Sequence, residues 1–409
     1  MKILNFGSCN IDFVYSMNHI VTIGETATAY NLELFPGGKG LNQSIAAARA
    51  GAEVFHAGCI GEDGEILKDI LINSGVNTSF LKEVNVKNGH AIIQVSDDGD
   101  NSIFIYPGSN NMITRDFVDL VLDSFSGDDI LLLQNEINDI EYIIEKAHEK
   151  EMCVVFNPSP INETISKIDL GKLCYLILNE VEAKAITGVA DVEGQLVYFE
   201  RNYPKLSVIL TLGKKGSVML KSNKVLRQEA YKVNAVDTTA AGDTFTGYFI
   251  AGLAMGVDDK TTLMRASTAS AIAVSKKGAA PSIPTLDEVL RTVGTLEPNR
   301  PENKPESFEE KLQEYIDSNL KTANVNEFAG ILGYSAIYTG SMAKKITGKT
   351  FTSLLQERRC IRAARLLVDT DLPVSEIIAC VGYENESFFR KKFNERYGAN
   401  PLEYRKKKG

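Results

Sequence analysis

The chain has 409 residues and a net charge of −9, with 44% hydrophobic and 24% charged side chains. This length exceeds that of one ordinary domain, and the composition excludes a wholly disordered chain. The net charge alone argues against a nucleic-acid-binding protein. However, residues 1–305 have a balance of −12, residues 306–409 a balance of +3, and residues from 340 onward a balance of +7. We therefore expect an acidic globular part followed by a part that can meet polyanions.

The cysteines and the N-terminus indicate the cellular compartment in which the protein works. The six cysteines contain no C-x-x-C pair and the four histidines form no cluster, which favours reduced thiols over a disulfide framework or a zinc site. The N-terminus lacks the apolar core of a signal peptide, and no apolar run approaches the ~20 residues that span a bilayer. The sequence thus predicts a cytoplasmic protein with no membrane partner.

Short apolar runs alternate with helical stretches over the first 293 residues. The runs are KILNFG, AEVFHAGCIG, DDILLLQNE, MCVVFNPSP, CYLILNE and LSVILTLG. This alternation predicts a doubly wound α/β domain with a mainly parallel sheet. Ligands of such sheets bind beyond the carboxyl ends of the strands. The stretch HAIIQVSDDGDNSIFIYPG predicts a hairpin instead.

Two early motifs carry polar groups suited to a hydroxylated ligand. Asn10 and Asp12 follow the first predicted strand, and an amide paired with a carboxylate binds sugar hydroxyls well; an Asx-turn is the alternative. The segment PGGKG at 36–40 lacks the Walker spacing. Gly38 could let a ligand reach the main chain and Asn42 offers amide contacts, but a tight turn with an exposed Lys39 fits equally well.

The segment VDTTAAGDTFTGYFIAGLAMG, residues 236–256, is the most informative. Small residues precede Asp243, and a helical pattern follows at once. A helix N-terminus there would present free N–H groups to a transferring phosphate. Asp243 would stand beside it, placed to take a proton from an attacking hydroxyl. The alternative is a helix cap followed by a buried helix. Further acids follow apolar strands at Glu136 and Glu182.

A change of composition separates this part from the rest. Three prolines among polar residues predict an extended linker at 294–306. Residues 307–409 then predict short helices that are interrupted at Gly333, Gly348, Pro373, Gly382 and Gly398. Two helix–Gly turn–helix patterns occur there, which is typical of helix-turn-helix motifs. A plain helical bundle with a solvated charged face is the alternative.

Residues 1–290 resemble the ribokinase-like, or PfkB, family of carbohydrate kinases, and are most similar to its ribokinase members. PGGKGLNQ resembles the first family signature and AVDTTAAGDTFTG the second, and LLLQNE, LNEVEAKAITG and TLGKKGS match in order. The resemblance implies a three-layer, doubly wound α/β fold over residues 1–293. A small β lid would come from residues near 13–35 and 90–106. It also implies ATP-dependent phosphorylation of a sugar, with Mg²⁺ and a monovalent cation such as K⁺.

The resemblance also implies residue roles. Asp243 would be the general base and would also contact the sugar, with an anion hole from Ala240, Ala241 and Gly242. The sugar would be bound by Asn10, Asp12, Gly38, Lys39, Asn42 and Glu136. ATP would contact Asn179, Thr211 and Gly213, while Glu182 would act on Mg²⁺ through water. K⁺ would be surrounded by Asp237, Ala273, Gly278 and Ser282.

Residues 307–405 resemble the AraC-type DNA-binding domain, through LLQERRCIRAARLLVDTDLPVSEI and GYENESFFRKKFNERYGANPLEYR. In its second motif, the recognition helix would address double-stranded DNA with Asn385, Glu386, Ser387, Arg390 and Lys391. The first motif departs from the family pattern. Thr339 and Ala343 replace large apolar residues, and Gly340 inside the helix costs ~1 kcal/mol against alanine.

These features together predict a kinase for ribose or another pentose that is coupled to transcriptional regulation of sugar metabolism, acting as a homodimer. Three alternatives stay open. The kinase fold could serve only as a sugar-sensing effector domain, the substrate could be a hexose or a nucleoside, or the C-terminal helices could serve only for assembly.

Overall fold

The six apolar runs of the first 293 residues all form strands, as predicted. The computed structural model describes residues 1–299, 308–370 and 372–408, and the chain divides into two units, Met1–Arg300 and Pro301–Gly409. The strands of the first unit are β1 Ile3–Phe6, β2 Asn10–Met17, β3 Asn31–Gly37, β4 Val54–Ile60, β5 Asn77–Glu83, β6 Gly89–Ser96, β7 Asn101–Tyr106, β8 Ile130–Gln134, β9 Cys153–Asn157, β10 Tyr175–Asn179, β11 Ser207–Thr211, β12 Ser217–Lys221 and β13 Lys224–Gln228.

Nine of the described strands form one sheet, in the order β13-β12-β11-β10-β9-β8-β1-β4-β5. All neighbours from β11 to β5 are parallel, and the two antiparallel pairs, β11–β12 and β12–β13, lie at one edge. Two hydrophobic clusters, on opposite faces of the sheet, bury its central strands. The predicted doubly wound, mostly parallel fold is therefore confirmed.

Four strands form a second, smaller sheet in the order β3-β2-β6-β7. The predicted hairpin is present as β6 and β7. The sheet begins at Asn10, so the polar pair Asn10 and Asp12 opens a strand rather than forming an Asx-turn. Both residues therefore point to the same face of the small sheet, at the end of β2 that follows β1.

The helices of the first unit cover the main sheet. They are α1 Lys39–Arg49, α2 Glu65–Asn73, α3 Arg115–Leu122, α4 Ile140–Glu149, α5 Glu180–Thr187, α6 Val192–Asn202, α7 Ala241–Ala254, α8 Asp259–Val274 and α9 Leu286–Thr292. Residues of the predicted linker up to 299 pair with this unit, whereas residues 300–306 lie outside the described residues. No helix among the described residues is long and apolar enough to cross a membrane.

The second unit is helical throughout its described part, as predicted. Its helices are α10 Phe308–Ser318, α11 Val325–Leu332, α12 Ala336–Thr347, α13 Phe351–Asp369, α14 Val374–Cys380, α15 Glu386–Tyr397 and α16 Pro401–Lys408. Gly333, Gly348 and Gly398 end helices in the left-handed conformation that glycine adopts most easily. The unit has two hydrophobic clusters, one around α10–α12 and one around α14–α16. The first packs against the N-terminal part of α13 and the second against its C-terminal part.

The two unusual residues of the first motif are buried in its cluster. Thr339 and Ala343 are both fully inaccessible to solvent, so these positions face the core even though neither side chain is large. The hydroxyl of Thr339 has no hydrogen-bond partner among the described residues. A buried hydroxyl without a partner is destabilising.

We expect Thr339→Val to stabilise α11 and α12 by about 1 kcal/mol, because valine keeps the shape and removes the unpaired hydroxyl. Amide exchange in α12 should then slow about fivefold in the intact chain. Thr347→Val is the matched control, since the Thr347 hydroxyl donates to the Ala343 carbonyl at 2.7 Å and its loss should not stabilise. Equal effects of the two substitutions would contradict this account.

Candidate functional site

Close packing of α1 against α7 brings the two signature segments together. Gly247 of α7 faces α1 so closely that a Cβ atom there would lie 2.4 Å from Ala46 Cβ and 2.7 Å from the Gln43 carbonyl oxygen. Because only glycine permits this approach, the first turns of the two helices share one buried region. The base proposed from the sequence, Asp243, lies in the first turn of α7.

Two amide side chains of α1 hold the Asp243 carboxylate, which is only 6% exposed. Asn42 Nδ2 donates to Asp243 Oδ2 at 3.1 Å, and Gln43 Nε2 donates to Asp243 Oδ1 at 2.9 Å. The Asn42 Oδ1 atom is buried without a hydrogen-bond partner among the described residues. An acceptor left open beside a carboxylate suits a ligand hydroxyl, which can donate to either.

The small sheet contributes a second pair of polar side chains. Asn10 Oδ1 accepts from Asn110 Nδ2 at 2.7 Å, and Asn110 Oδ1 accepts from the Cys9 N–H at 2.9 Å. Gly37 on β3 lies directly beside Asp12, since a Cβ atom there would be 2.1 Å from Asp12 Oδ2. The Asn10 side chain is therefore held by a hydrogen bond, and the Asp12 side chain lies against the backbone of β3.

Glu136, just beyond the end of β8, is tied to the start of α1. Its Oε2 atom accepts a short hydrogen bond from the Ser8 hydroxyl and another from the Lys39 N–H at 3.0 Å. Backbone, hydroxyl and carboxylate thus meet where β1, β8 and α1 converge. This is the carboxyl edge of the sheet, where ligands of parallel sheets bind.

The charges of these groups perturb one another. Burial, with the charges of Glu136 and Asp243, raises the pKa of Asp12 to about 7. Burial also raises the pKa of Glu136. The nearby carboxylate of Asp243 raises the pKa of the Lys39 ammonium, so that group stays charged. Clustered acids with one cation are typical of a site that binds a polar ligand and moves a proton.

Two clefts open at this edge of the sheet. The first, about 830 Å³, is lined by Asn10, Asn110 and Glu136, together with residues of the 135–145 segment. The second, about 640 Å³, is lined by Thr211, Gly213, Ala241 and Gly242. Volumes of this size fit small-molecule ligands. Ser267 also lines the second cleft.

The N-terminus of α7 faces the second cleft. Ala240 adopts a left-handed conformation (φ 59°), which is uncommon for a residue other than glycine, and α7 begins at the next residue. A Cβ atom on Gly242 would meet nothing within 4 Å. The N-terminus of α7 therefore borders open space at Gly242, as an anion site requires, while the Ala241 N–H donates to the Thr238 carbonyl at 3.3 Å.

Asn179 and Glu182 have a local structural role in this structure. The Asn179 side chain accepts from the Val181 and Glu182 N–H groups at 2.9 Å, and Glu182 Oε2 accepts from the Asn179 N–H at 2.9 Å. This reciprocal capping box begins α5. Neither residue is among those lining the second cleft. The buried Glu182 charge nevertheless acts on Lys39.

The residues expected around a monovalent cation lie together. Asp237 Oδ2 accepts from the Gly278 N–H at 2.9 Å, and the Asp237 N–H donates to the carbonyl of Val274, next to Ala273. Ser282 lies in the following turn and donates to the Ala279 carbonyl at 2.7 Å. A carboxylate among backbone carbonyls is a hard oxygen donor set, which fits an alkali cation.

Several site residues escaped the sequence analysis. Gln43 follows Asn42 in the same motif. Its side-chain amide also contacts Gln134 and Asn157, so it connects the Asp243 carboxylate to the ends of β8 and β9. Ser8 and Asn110 likewise lie within or next to the quoted motifs. Ser8 and Asn110 follow strand ends, and this position was the only sequence signal of a role in the site. Many polar residues share that position, and only the packing shows which of them converge.

The second helix-turn-helix motif presents a polar first turn. Asn385, Glu386, Ser387 and Lys391 are exposed, while Phe389 and Phe393 are fully buried. The Asn385 side chain caps α15 by accepting from the Phe388 N–H at 2.9 Å. Arg390 donates to Glu386 Oε1 from two nitrogens, at 2.8 and 2.6 Å. Phe388 is 41% exposed, because it lies on the outward face of α15 beneath the Lys392 ammonium.

Comparisons with known proteins agree with both parts. A family model for pfkB family carbohydrate kinases matches residues 1–286, and one for a helix-turn-helix domain matches residues 328–407. Ribokinase of Haemophilus influenzae is 36% identical over 299 residues, which is 69% of this chain and 95% of that protein.

Two solved structures share the fold of the first unit. Ribokinase from Cryptococcus neoformans in complex with ADP is 34% identical with a TM-score of 0.63, over 71% of this chain and 99% of that one. Arabidopsis thaliana ribokinase complexed with ribose and ATP is 29% identical with a TM-score of 0.64, over 71% and 98%. The chain belongs to the PfkB family of carbohydrate kinases, as a ribokinase-like enzyme that carries a C-terminal AraC-type helix-turn-helix domain.

Proposed function

We propose that the first unit transfers the terminal phosphoryl group of ATP to a hydroxyl of ribose or another pentose. The observation that carries this proposal is the Asp243 carboxylate, held by Asn42 and Gln43, one residue from Gly242 at the wall of the second cleft. A base next to an anion site is what phosphoryl transfer to a hydroxyl requires.

In this mechanism the sugar lies between the Asp243 carboxylate and the first cleft, whose lining includes Asn10 and Glu136. Its hydroxyls are bound by Asn10, Asp12 and the open Oδ1 of Asn42, whose Nδ2 holds Asp243. Gly38 and Lys39 at the start of α1 and Glu136 complete the sugar site. Asp243 takes the proton of the attacking hydroxyl as its oxygen bonds to phosphorus and the bond to ADP breaks. The N–H groups of Ala240, Ala241 and Gly242 stabilise the charge that develops on the phosphate oxygens.

The nucleotide would lie in the second cleft, against Thr211 and Gly213, and would reach Asn179, which pairs with Thr211 across β10 and β11. Mg²⁺ would neutralise the phosphates, with Glu182 acting through water. A monovalent cation, such as K⁺, would bind near Asp237, Ala273, Gly278 and Ser282. These residues lie in the segments that flank α7 and the second cleft, so the cation would help to fix the anion site.

A screen of purified protein against pentoses, hexoses and nucleosides with ATP and Mg²⁺, with and without K⁺, tests this proposal. We expect the highest kcat/KM with ribose or another pentose, and faster turnover with K⁺. Phosphorylation of nucleosides alone would reassign the substrate. If no compound is phosphorylated, the first unit is an effector-binding domain rather than an enzyme.

Asp12 should make both sugar binding and stability depend on pH. Its pKa of about 7 lies above the unfolded value near 3.9. Between these values the folded state holds a proton that the unfolded state has released, so stability falls as pH rises from about 4 to 7. Sugar binding should change oppositely, because the ionised carboxylate is the better acceptor for sugar hydroxyls.

We therefore expect Asp12→Asn to raise the melting temperature at pH 8 more than at pH 5.5, while the KM for sugar increases at least tenfold. Thermal unfolding and steady-state kinetics at both pH values measure this. Asp98→Asn, in the exposed turn between β6 and β7, is the matched control and should change neither. A melting difference that does not depend on pH would contradict the assigned proton.

We also propose that the second unit binds double-stranded DNA and regulates genes of sugar metabolism. Two features support this: the exposed first turn of α15, and the presence of two helix-turn-helix motifs, α11–α12 and α14–α15, in succession. α13 is 19 residues long, roughly 28 Å, so the two motifs can be placed near one turn of DNA apart. An ATP-dependent kinase that also binds DNA would work in the cytoplasm.

We further propose a homodimer through the small sheet. Strand β7 is an edge strand in which every residue is exposed, including Ile103, Phe104 and Ile105. Leu32 and Leu34 of β3 are exposed as well. An apolar edge is a natural place for a second copy to pack. Light scattering should give twice the mass of one chain, and a monomer at micromolar concentration would contradict this.

A further inference from the structure

The chain beyond the last kinase helix returns to the rim of the second cleft. After α9 ends at Thr292, residues 297–299 run antiparallel to residues 230–232, with a bridge between Tyr231 and Pro298. The Lys232 N–H donates to the Glu297 carbonyl at 2.9 Å, and the Asn299 N–H donates to the Ala230 carbonyl at 2.6 Å. This pairing lies outside the match to the kinase family, which ends at residue 286.

Asn299 connects this added segment to another part of the cleft wall. Its Nδ2 atom donates to the Lys214 carbonyl at 2.8 Å. Lys214 follows Gly213, and Lys214, Ala230 and Asn299 line the same cleft as Gly242. One side chain from beyond the family region thus bridges two segments of the candidate nucleotide site.

We propose that residues 297–299 form part of the nucleotide site, so that nucleotide binding and docking of this segment stabilise each other. The inference rests on the proposed assignment of the second cleft to ATP. A nucleotide in the cleft would contact Asn299 and hold its two hydrogen-bonded neighbours in place. The coupling must be equal in both directions, since binding and docking are linked equilibria.

The position of the segment gives this coupling a regulatory meaning. Residue 299 lies two positions before the second unit, which begins at Pro301. Occupancy of the nucleotide site would therefore hold the start of that connection against the kinase unit. Through this segment, the second unit would respond to the nucleotide and not to the sugar alone.

Hydrogen exchange of the full chain with and without saturating ADP tests the docking. We expect ADP to slow exchange at the amides of Lys232 and Asn299 severalfold. Ribose alone should have no such effect. The Gly75 amide, which donates to the Ile72 carbonyl at the end of α2 and does not border the cleft, serves as the internal control. Unchanged exchange at both amides in protein that binds ADP would overturn the inference.

Affinity measurements by calorimetry test the reverse direction. Asn299→Ala should weaken ADP binding about two- to tenfold, the usual effect of one hydrogen bond, and leave the KM for sugar unchanged. Asn202→Ala is the matched control, since the exposed Asn202 side chain also donates to a backbone carbonyl, that of Tyr198 at 2.8 Å. Wild-type affinity in Asn299→Ala would overturn the inference. Absence of ADP binding by the wild type would overturn the proposed function on which it rests.

Discussion

Replacing Asp243 by asparagine should lower kcat about 10²–10⁴-fold, the usual contribution of a general base, while the sugar still binds. Asparagine cannot take the proton of the attacking hydroxyl. Its amide would also turn one N–H₂ group toward Asn42 or Gln43, both of which donate to Asp243. We therefore expect a moderate change in sugar affinity and a large change in turnover.

Two further variants separate chemistry from structure. Asp243→Ala removes the carboxylate without placing an amide N–H₂ against the N–H₂ groups of Asn42 and Gln43. Its kcat should fall by about as much as that of Asp243→Asn. Asp116→Asn changes an exposed aspartate in the first turn of α3 and should leave kcat unchanged. Steady-state kinetics and calorimetry with the sugar measure both quantities. Turnover by Asp243→Asn at the wild-type rate would remove the base assignment.

DNA binding should weaken steeply with salt, and Lys391 in the second turn of α15 should carry part of that dependence. Each phosphate contact contributes about −0.9 to the slope of log K against log[salt]. Lys391→Ala should reduce the slope by about one unit and weaken binding to all sequences alike. Fluorescence anisotropy with a mixed-sequence duplex at several salt concentrations measures this. Lys260→Ala, in the kinase unit, is the control.

Arg390 should behave differently, because Glu386 holds its guanidinium in the free protein. Arg390→Ala should cost about 1–3 kcal/mol if the side chain contacts a base. Glu386→Gln should release the guanidinium and strengthen binding to mixed-sequence DNA. Duplexes selected from a random pool would show whether Arg390 specifies a base. Salt-independent binding, or no binding, would refute a DNA-binding role for the second unit.

Much of the architecture could be predicted from the sequence because local patterns encode it. The six apolar runs became buried strands, since strands covered on both faces contain few polar residues. Glycines ended the helices of the second unit where predicted, because a left-handed residue stops a helix cheaply only at glycine. Strands β5, β12 and β13 were missed. β5 and β13 are exposed along much of their length, so their apolar pattern is weak, whereas β12 is buried but only five residues long.

The residues of the candidate site also divide into those that the sequence identified and those that it did not. Asp243 and Asn42 were identified from the signature segments, yet Gln43, its neighbour in the same motif, was not. Asn179 and Glu182, which the family resemblance assigns to nucleotide and Mg²⁺, also form the cap of α5. A sequence shows which polar residues follow strands and open helices. It does not show which of them are satisfied locally and which remain open to a ligand.

The sequence by itself determined the alternation of elements, the two signature segments and the boundary of composition near residue 300, because each of these is carried by residues close together in the chain. The tertiary structure alone decided what is brought together over long separations. The approach of α1 to α7 at Gly247 pairs Asp243 with residues about 200 positions away. The return of residues 297–299 to the cleft wall depends on backbone pairing, which no side-chain pattern records.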